Sequence, residues 1–287
     1  VMGLSSCHEE YITYNDAEYI MFADTLAAYP VQKDVEFFNV PVVSTTVCDY
    51  DRTFGVEIID KESTAIESLH YRLESNTITI KAGETRADVK VYGNYDNLEA
   101  SDQLLFTLQL VMPDQLEMPM YGSRTKVMLV KSCPFDINSF TGWCMLTSMF
   151  LYDYSIDGRY QRLIYAEKHP TEENTIICRN WINEGYDVTI RFNADDPMMP
   201  YITMDEDQVA SDEGSFFGTA HGDDKILVRN SAVYDSIFYP CGSYLYLWSE
   251  MYVENLGVSV GTVGHFYNIM EWVSDEEADR LKKEEGM

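Results

Sequence analysis

The sequence predicts an all-β protein in which an N-terminal sandwich is followed by a C-terminal antiparallel barrel or second sandwich. Three observations predict this fold class: segments in which apolar and polar residues alternate, turn residues between those segments, and a pattern without crossover helices. Alternation places neighbouring side chains on opposite faces of a strand, so one face is buried and the other meets water. A chain of 287 residues is long enough for two domains with separate cores.

Residues 1–10 carry a short motif instead of a strand pattern. An apolar run ends in Leu4-Ser5-Ser6-Cys7, and His8-Glu9-Glu10 follows at once. The first motif resembles the lipobox of bacterial lipoproteins, and the acidic residues after it resemble the surface-export signal of Bacteroidetes lipoproteins. The resemblance implies a signal remnant, lipidation of Cys7, and an anchor in the outer membrane at the cell surface. A chance match at an ordinary N-terminus is the alternative.

Residues 11–131 predict the first β-domain. Apolar residues alternate most clearly at Leu104, Phe106, Leu108 and Leu110, and turn residues such as Gly93-Asn94 separate the strand-like segments. About seven short strands without a helical segment are typical of an immunoglobulin-like sandwich.

Part of this first domain has a more specific resemblance. Thr64-Ala65, Tyr71, Gly83-Glu84-Thr85 and Phe106-Thr107-Leu108 stand where the Calx-β pattern expects them, so residues 64–110 resemble a Calx-β domain. The resemblance implies the same sandwich fold. It also raises the question of calcium, which Calx-β domains bind through clustered carboxylates.

The carboxylates needed for such a calcium site are depleted here. His70 stands in place of the usual aspartate, and the later acidic cluster is reduced to Asp96, Glu99 and Asp102. Calcium requires six to eight hard oxygen ligands, and imidazole is a poor substitute. We therefore expect neither a metal nor a cofactor, with Asp96, Glu99 and Asp102 as weak calcium candidates and a solvated acidic loop as the alternative.

Residues 132–273 predict a second β-rich domain. All four tryptophans lie in this part of the chain, and strand-like segments recur between turns such as Asp157-Gly158 and Glu184-Gly185. Eight or more strands without crossover helices indicate a closed antiparallel barrel or a sandwich. "FTGWCM" at residues 140–145 faintly resembles the entry strand of lipocalin-like barrels.

Residues 274–287 predict a short, charged helical tail. Ser274 and Glu277 have the spacing of a capping box, in which a serine caps the helix and a glutamate follows three residues later. The whole arrangement, a Calx-β-like domain followed by a domain rich in Trp and Tyr, resembles two-domain surface lipoproteins of an uncharacterised Bacteroidetes family.

The charge of the chain excludes one class of partner. The sequence has 20 Lys+Arg against 48 Asp+Glu, a net charge of −28. A surface of this sign repels the phosphate backbone, so we expect no binding to nucleic acid.

The cysteines do not form a recognisable metal or redox motif, because no pair has the CxxC spacing. Four of them lie in the predicted second domain, namely Cys133, Cys144, Cys178 and Cys241. Spacing alone does not decide between disulfide pairing and buried free thiols.

The candidate catalytic motifs of the sequence lack the context that catalysis requires. Gly257-Val258-Ser259-Val260-Gly261 matches G-x-S-x-G, but a nucleophile elbow requires a helix after the serine, and the following residues have a strand pattern. Acidic clusters such as Asp205-Glu206-Asp207 occupy turn-like contexts. A glycan-processing hydrolase would require two carboxylates converging in one cleft, which sequence cannot show. We expect a protein without enzymatic activity, with a glycan-processing hydrolase as a further alternative.

The most suggestive functional pattern is "SYLYLWSEMYVEN" at residues 243–255. Alternation places Tyr244, Tyr246, Trp248, Glu250 and Tyr252 on one face, and aliphatic residues on the other. Aromatic rings beside a carboxylate suit sugars, because C–H groups stack on rings and hydroxyls bind the acid. The alternative is that these aromatic residues pack a second core layer.

These patterns predict a lipid-anchored cell-surface protein that binds an extracellular glycan through its C-terminal β-domain. A structural or assembly component that contacts other surface proteins is a second hypothesis.

Overall fold

A computed structural model describes residues 18–117, 122–155, 158–212, 225–255, 258–284 and 286. The lipobox-like motif with Cys7 lies outside these ranges. The chain divides into two compact units, residues 1–131 and residues 132–287, and each is described by itself.

The first unit is a sandwich of two antiparallel sheets. Its strands within the described ranges are β1 (Ile20–Phe22), β2 (Leu26–Gln32), β3 (Phe38–Ser44), β4 (Arg52–Ile58), β5 (Tyr71–Leu73), β6 (Thr77–Ile80), β7 (Arg86–Gly93), β8 (Leu104–Val111) and β9 (Arg124–Ser132). One sheet has the order β1-β3-β7-β5 and the other has the order β2-β9-β8-β4-β6. The predicted immunoglobulin-like sandwich is confirmed.

Alternating residues of the two sheets form the core of the first unit. Phe106, Leu108 and Leu110 of β8 are at most 3 % exposed, as their two-residue spacing predicts. Tyr71 from β5 stacks on Phe106, with ring centroids 3.7 Å apart. Because β5 and β8 belong to different sheets, this ring pair joins the two layers.

The second unit contains the longest strands of the described chain. Its elements are β10 (Gly142–Ser148), α1 (Met149–Tyr154), β11 (Gln161–Lys168), β12 (Thr175–Arg179), β13 (Val188–Asn193), β14 (Tyr201–Met204), β15 (Gln208–Ser211), β16 (Ile226–Asn230), β17 (Ile237–Tyr239), β18 (Tyr244–Asn255), β19 (Val258–Trp272) and α2 (Asp275–Glu284).

These strands close into an antiparallel barrel. Hydrogen-bonded neighbours follow the order β10-β11-β12-β13-β14-β17-β18-β19, and β19 pairs with β10 to complete the ring. Strand β16 pairs with the second half of β18, beyond β17, and β15 adds to β16. Of the two alternatives for this domain, the barrel is therefore observed.

The interior of the barrel is filled with side chains. A continuous core includes Leu146, Ile164 and Ile190, together with a cluster of phenylalanines. Within that cluster, the rings of Phe140 and Phe192 lie 4.8 Å apart. Because the interior is filled by side chains, a ligand can reach only the outward faces of the strands and the loops.

One disulfide bond closes a long loop of the second unit. Cys133 and Cys241 are joined, with Cα atoms 5.2 Å apart and a sequence separation of 108 residues. Cys144 and Cys178 are buried free thiols, and burial raises the pKa of both. Both alternatives for the four cysteines therefore occur: one pair forms a disulfide bond, and the other pair consists of buried free thiols.

The C-terminal helix α2 is anchored to the barrel through one side. Ser274 Oγ accepts a hydrogen bond from the backbone N–H of Glu277 at 3.2 Å, which is the predicted cap. Ala278 and Leu281 are buried, and Lys282 Nζ lies 3.5 Å from the centroid of the Trp143 ring in β10. The helices in the described ranges are all too short or too polar to cross a membrane.

Candidate functional site

The two faces of β18 differ as the alternation predicts. Leu245, Leu247, Ser249 and Met251 point into the barrel and are fully buried. Tyr244, Tyr246 and Trp248 lie on the outer face and are half-buried. The outer face of β18 is therefore the candidate ligand-binding surface.

Six aromatic rings line up on this outer face, and we call them the aromatic ribbon. Neighbouring ring centroids lie 4.2–5.5 Å apart, close enough for direct contact at every step. In order of contact, the members are Tyr239, Tyr244, Tyr246, Tyr267, Trp248 and Tyr234.

Strand pairing brings most of the ribbon together. Tyr239 of β17 lies opposite Tyr244, and Tyr267 of β19 lies opposite Trp248. Directly opposed residues on one face of a sheet have Cβ atoms about 5 Å apart, so large rings at such positions must touch. The ribbon thus crosses three strands, β17, β18 and β19.

The loop between β16 and β17 supplies the last ring. Ser231 Oγ accepts hydrogen bonds from the backbone N–H groups of Val233 and Tyr234, both at 3.1 Å. This turn folds the loop back over the sheet, and Tyr234 stacks on Trp248 with centroids 4.2 Å apart. Ser236 Oγ also accepts from the Trp248 backbone N–H at 2.9 Å, which ties the loop to β18.

The ribbon is partly open to solvent. Tyr239 is 37 % exposed and Tyr234 is 46 % exposed, whereas the other four members are half-buried. The rings therefore form neither a sealed core layer nor a fully open groove. They present ring edges and parts of ring faces that a ligand can cover.

Three phenols of the ribbon, those of Tyr239, Tyr244 and Tyr267, have a raised pKa. Burial is the main cause that raises the pKa of Tyr239, Tyr244 and Tyr267, and neighbouring phenols add to it. The pKa of Tyr267 reaches about 12. At neutral pH these hydroxyls are uncharged groups that can donate or accept a hydrogen bond.

Glu250 continues the outer face of β18 but is held by the protein itself. Its carboxylate accepts hydrogen bonds from Arg229 Nε at 2.9 Å and from Thr262 Oγ1 at 2.7 Å. The Arg229 hydrogen bond is the main cause that lowers the pKa of Glu250, and the Thr262 hydrogen bond adds to it. Only 6 % of Glu250 is exposed, so its oxygens are not offered to a ligand.

Tyr252 is also buried within the protein, with 1 % of its surface exposed. Its hydroxyl donates to the carboxylate of Asp207, and the Arg229 guanidinium lies 4.5 Å from its ring centroid. Of the five residues singled out in the sequence, Tyr244, Tyr246 and Trp248 therefore remain as ligand candidates. Glu250 and Tyr252 instead form hydrogen bonds with neighbouring protein groups.

Two serines of the second unit stand in contexts that resemble catalytic motifs. Ser231 Oγ lies 3.0 Å from His265 Nδ1, but Ser231 is 7 % exposed and its oxygen already accepts two backbone hydrogen bonds. Ser259 of the G-x-S-x-G match lies within strand β19, whose backbone continues as strand to Trp272. A nucleophile elbow needs a strand-to-helix turn at that point, so this match has no elbow.

The weak calcium candidates lie in a loop of the first unit. Asp96 belongs to a short 3₁₀ turn, Tyr95–Asn97, and the Asp102 carboxylate accepts from the Glu99 backbone N–H at 2.7 Å. His70 Nδ1 accepts from the Ile66 backbone N–H at 2.9 Å. Within the described ranges, no cluster of three or more His, Cys, Asp or Glu side chains is arranged to hold a metal ion.

Sequence comparison links the second half of the chain to one family. The sequence profile of the domain of unknown function DUF4984 matches residues 120–284, which is more than half of the chain. No protein of curated function shows a significant match.

Several solved structures resemble the chain at low similarity. The apo form of the Calx CBD1 domain is 15 % identical with a TM-score of 0.33, over 40 % of this chain and 98 % of that domain. A protein of unknown function from Bacteroides ovatus is 12 % identical with a TM-score of 0.36, over 87 % and 89 % of the two chains. An auxiliary nutrient binding protein from Bacteroides thetaiotaomicron is 13 % identical with a TM-score of 0.33, over 86 % and 89 %. Values this low do not establish a shared function.

Proposed function

The chain belongs to the DUF4984 family, and we propose that it is a non-enzymatic binding protein whose second unit holds a glycan on the aromatic ribbon. The observation that carries the proposal is the row of six touching rings on the outer face of the barrel. Exposed aromatic rings in a continuous patch mark binding surfaces, because an isolated protein gains nothing from leaving them in water.

The chemistry of the ribbon suits a saccharide. The C–H faces of sugar rings pack on aromatic surfaces, and sugar hydroxyls exchange hydrogen bonds with phenols. Five of the six ribbon residues are tyrosines, and raised pKa values keep three of these phenols, those of Tyr239, Tyr244 and Tyr267, in the neutral form. The ribbon therefore combines stacking surface with uncharged hydrogen-bonding groups.

The length of the ribbon favours a chain of sugars over a single sugar. The rings follow β18 from Tyr244 to Trp248 and extend sideways to Tyr239 of β17 and Tyr267 of β19. Tyr239 also contacts Tyr246, with ring centroids 5.6 Å apart. A monosaccharide would cover one or two rings and leave the rest exposed. An oligosaccharide laid along the row would contact several rings at once.

We further propose that Cys7 is lipidated and that the protein is anchored at the cell surface, where such a glycan would be met. The support is the sequence Leu4-Ser5-Ser6-Cys7 with acidic residues after it. Labelling of cells with radioactive palmitate tests the anchor. Incorporation should be lost in Cys7→Ala, and labelling that persists in this variant would contradict the proposal.

Glycan-array screening followed by calorimetry tests the ribbon. Wild type should bind at least one extracellular oligosaccharide, and Trp248→Ala and Tyr239→Ala should each weaken binding about tenfold or more. A tenfold loss corresponds to about 1.4 kcal/mol, within the range of an aromatic contact at a binding surface.

Tyr165→Ala is the matched control. Tyr165 of β11 is 43 % exposed and also contacts another ring, that of Trp143, but it lies outside the ribbon. Its removal should leave glycan affinity unchanged. Equal affinity of Trp248→Ala and wild type would contradict the site. Absence of any glycan binding, together with a membrane protein that is retained by wild type and lost in Trp248→Ala, would favour the assembly hypothesis instead.

A further inference from the structure

A cleft of about 490 Å³ lies on the surface of the first unit, remote in sequence from the ribbon. Three segments line it: the connection between β2 and β3, the chain around β5, and the end of β7 with the turn after it. This volume is within the range of small-molecule pockets in proteins. None of the residues named above as ribbon members belongs to it.

Glycine at position 93 lets β2 approach the end of β7 closely, beside the first wall of the cleft. Gly93 ends β7, and a Cβ atom at this position would lie 2.6 Å from both γ carbons of Val31 in β2. Real Cβ atoms are essentially never found at such distances, so any other residue would displace the Val31 side chain. Glycine therefore permits the β2–β3 connection, with Lys33 and Glu36, to border the cleft.

Arg72 lies on the second wall in a fixed orientation. It stands opposite Tyr92 in the pairing of β5 with β7, and its guanidinium carbon lies 3.6 Å from the centroid of the Tyr92 ring. The Tyr92 hydroxyl donates to Glu74 at 3.1 Å, and Phe37 contacts the same ring at 5.8 Å. A guanidinium stacked on a ring held in this way keeps its plane and its N–H groups oriented.

Arg72 also differs from most arginines of this acidic protein. Arg52, Arg86, Arg124, Arg179, Arg191, Arg229 and Arg280 all form ion pairs with carboxylates. Within the described ranges, neither Arg72 nor Lys33 has a carboxylate partner. Because seven other arginines of this acidic protein are paired with carboxylates, an arginine that borders a cleft without such a partner points to an anionic ligand, and Lys33 adds a second positive charge at the same cleft.

The remaining lining of the cleft defines that ligand more closely. Glu36 and Asp96 border it beside the two cations, and Gln32, Ser68 and Tyr95 add neutral polar and aromatic groups. Because the lining contains two acidic and two basic side chains, its net charge does not favour a polyanion. A molecule with one carboxylate and several hydroxyls matches the set, because Arg72 can hold the carboxylate in a bidentate pair while the carboxylates of Glu36 and Asp96 accept hydrogen bonds from the hydroxyls.

We infer that the first unit contains a second saccharide site, which takes a uronic acid with its carboxylate on Arg72. The site is independent of the aromatic ribbon, because the two lie in different units of the chain. Its ligand class also differs, since the ribbon offers neutral phenols and the cleft offers a guanidinium.

Calorimetric titration with a galacturonate trisaccharide tests the inference, and the methyl ester of the same trisaccharide is the control ligand. The ester has the same rings and hydroxyls but no charge. We expect the acid to bind at least tenfold more tightly than the ester, and acetate at the same concentration to bind no better than the ester. Equal affinity for acid and ester would overturn the inference, and so would acetate binding as tightly as the acid.

Variants locate the binding. Arg72→Gln should weaken galacturonate binding tenfold or more, and Arg72→Lys should also weaken it, because lysine keeps the charge but loses the planar pair of donors. Arg86→Gln removes the same charge from β7 outside the cleft and should bind as wild type does. Equal losses in Arg72→Gln and Arg86→Gln would show a general charge effect and overturn the inference.

Trp248→Ala separates this site from the ribbon. Its affinity for the galacturonate trisaccharide should equal that of wild type, since the ribbon plays no part in the cleft. Loss of acid binding in this variant would assign the sugar to the ribbon and overturn the inference of a second site. Failure of neutral glycans to bind the ribbon would leave the galacturonate result unaffected.

Discussion

The two halves of β18 share one outer face but have different surroundings. Tyr244, Tyr246 and Trp248 in the first half are half-buried members of a ring cluster that meets solvent. Glu250 and Tyr252 in the second half are 6 % and 1 % exposed and bind other protein groups. The sequence pattern is the same along the strand, so the cause of the difference lies in its neighbours.

The neighbour on one edge of β18 changes halfway along the strand. Strand β17 pairs with residues 244–246 and contributes the ring of Tyr239, whereas β16 pairs with residues 249–252 and contributes the long side chain of Arg229. A ring beside a ring leaves partly exposed apolar surface. A guanidinium beside a carboxylate and a phenol forms a closed polar network. Alternation thus fixes which face a residue occupies, and the paired strand decides whether that face stays open.

The largest expected difference between the two halves of β18 is in stability, after one ring is removed from each half. Tyr252→Ala should lower the free energy of unfolding by about 3–5 kcal/mol, because it leaves a cavity at a fully covered position. Tyr244→Ala should lower it by only about 1 kcal/mol, because the half-buried ring gives up less contact. Urea denaturation of the two variants measures both values.

Tyr252→Phe is the control for the hydroxyl. It keeps the ring and loses only the hydrogen bond to Asp207, so a loss of about 1 kcal/mol is expected. Similar losses in Tyr252→Ala and Tyr244→Ala would show that the two halves of the strand are equally covered. The distinction between a binding surface and a structural network would then fail.

Neutralising Glu250 should produce the next largest effect. Glu250→Gln leaves Arg229 without its carboxylate partner, and the expected loss is about 2 kcal/mol at pH 7. Because the folded state lowers the pKa of Glu250, its contribution is complete above the usual value of 4.5 and is lost as the pH falls through the lower, folded pKa. The stability of Glu250→Gln should therefore depend less on pH than that of wild type below pH 4.5.

Glu271→Gln is the matched control on the neighbouring strand. Glu271 lies on the outer face of β19 opposite Tyr244, where it is exposed. An exposed carboxylate contributes little to stability, so this variant should differ from wild type by less than about 0.5 kcal/mol. Acid-unfolding curves that are identical for Glu250→Gln and wild type would argue against the network.

The fold could be predicted from local patterns, but its closure could not. Phe106, Leu108 and Leu110 of β8 and Leu245, Leu247 and Met251 of β18 recur at two-residue or four-residue spacing, and all six are buried on the expected face of a strand. The barrel is closed by the pairing of β10 with β19 and by a single residue pair, Tyr201 and Ile237, between β14 and β17. Contacts between residues so far apart in sequence leave no local signal, which is why barrel and sandwich remained alternatives.

Half of the aromatic ribbon was missed for the same reason. Tyr267 and Tyr239 join it because of the register of β19 and β17 against β18, and register is set by long-range pairing. Tyr234 joins it because a serine-capped turn folds its loop back, and only "NSAVYDS" in the sequence hints at that turn. Alternation in β19 does place Tyr267 outward, so this one signal was available.

The smallest expected effect concerns Tyr267, whose titration at alkaline pH tests how far this ring of the ribbon is buried. Its pKa of about 12, raised by burial and by the phenols around it, predicts a late step in ultraviolet absorbance as the pH rises. Because the folded state disfavours the tyrosinate, Tyr267 lowers the free energy of unfolding once the pH exceeds the ordinary value of 10. Tyr267→Phe should remove the step near pH 12, soften this alkaline loss, and change stability at pH 7 by less than about 1 kcal/mol. A step near pH 12 that persists unchanged in Tyr267→Phe would belong to another tyrosine and would contradict the raised pKa of Tyr267.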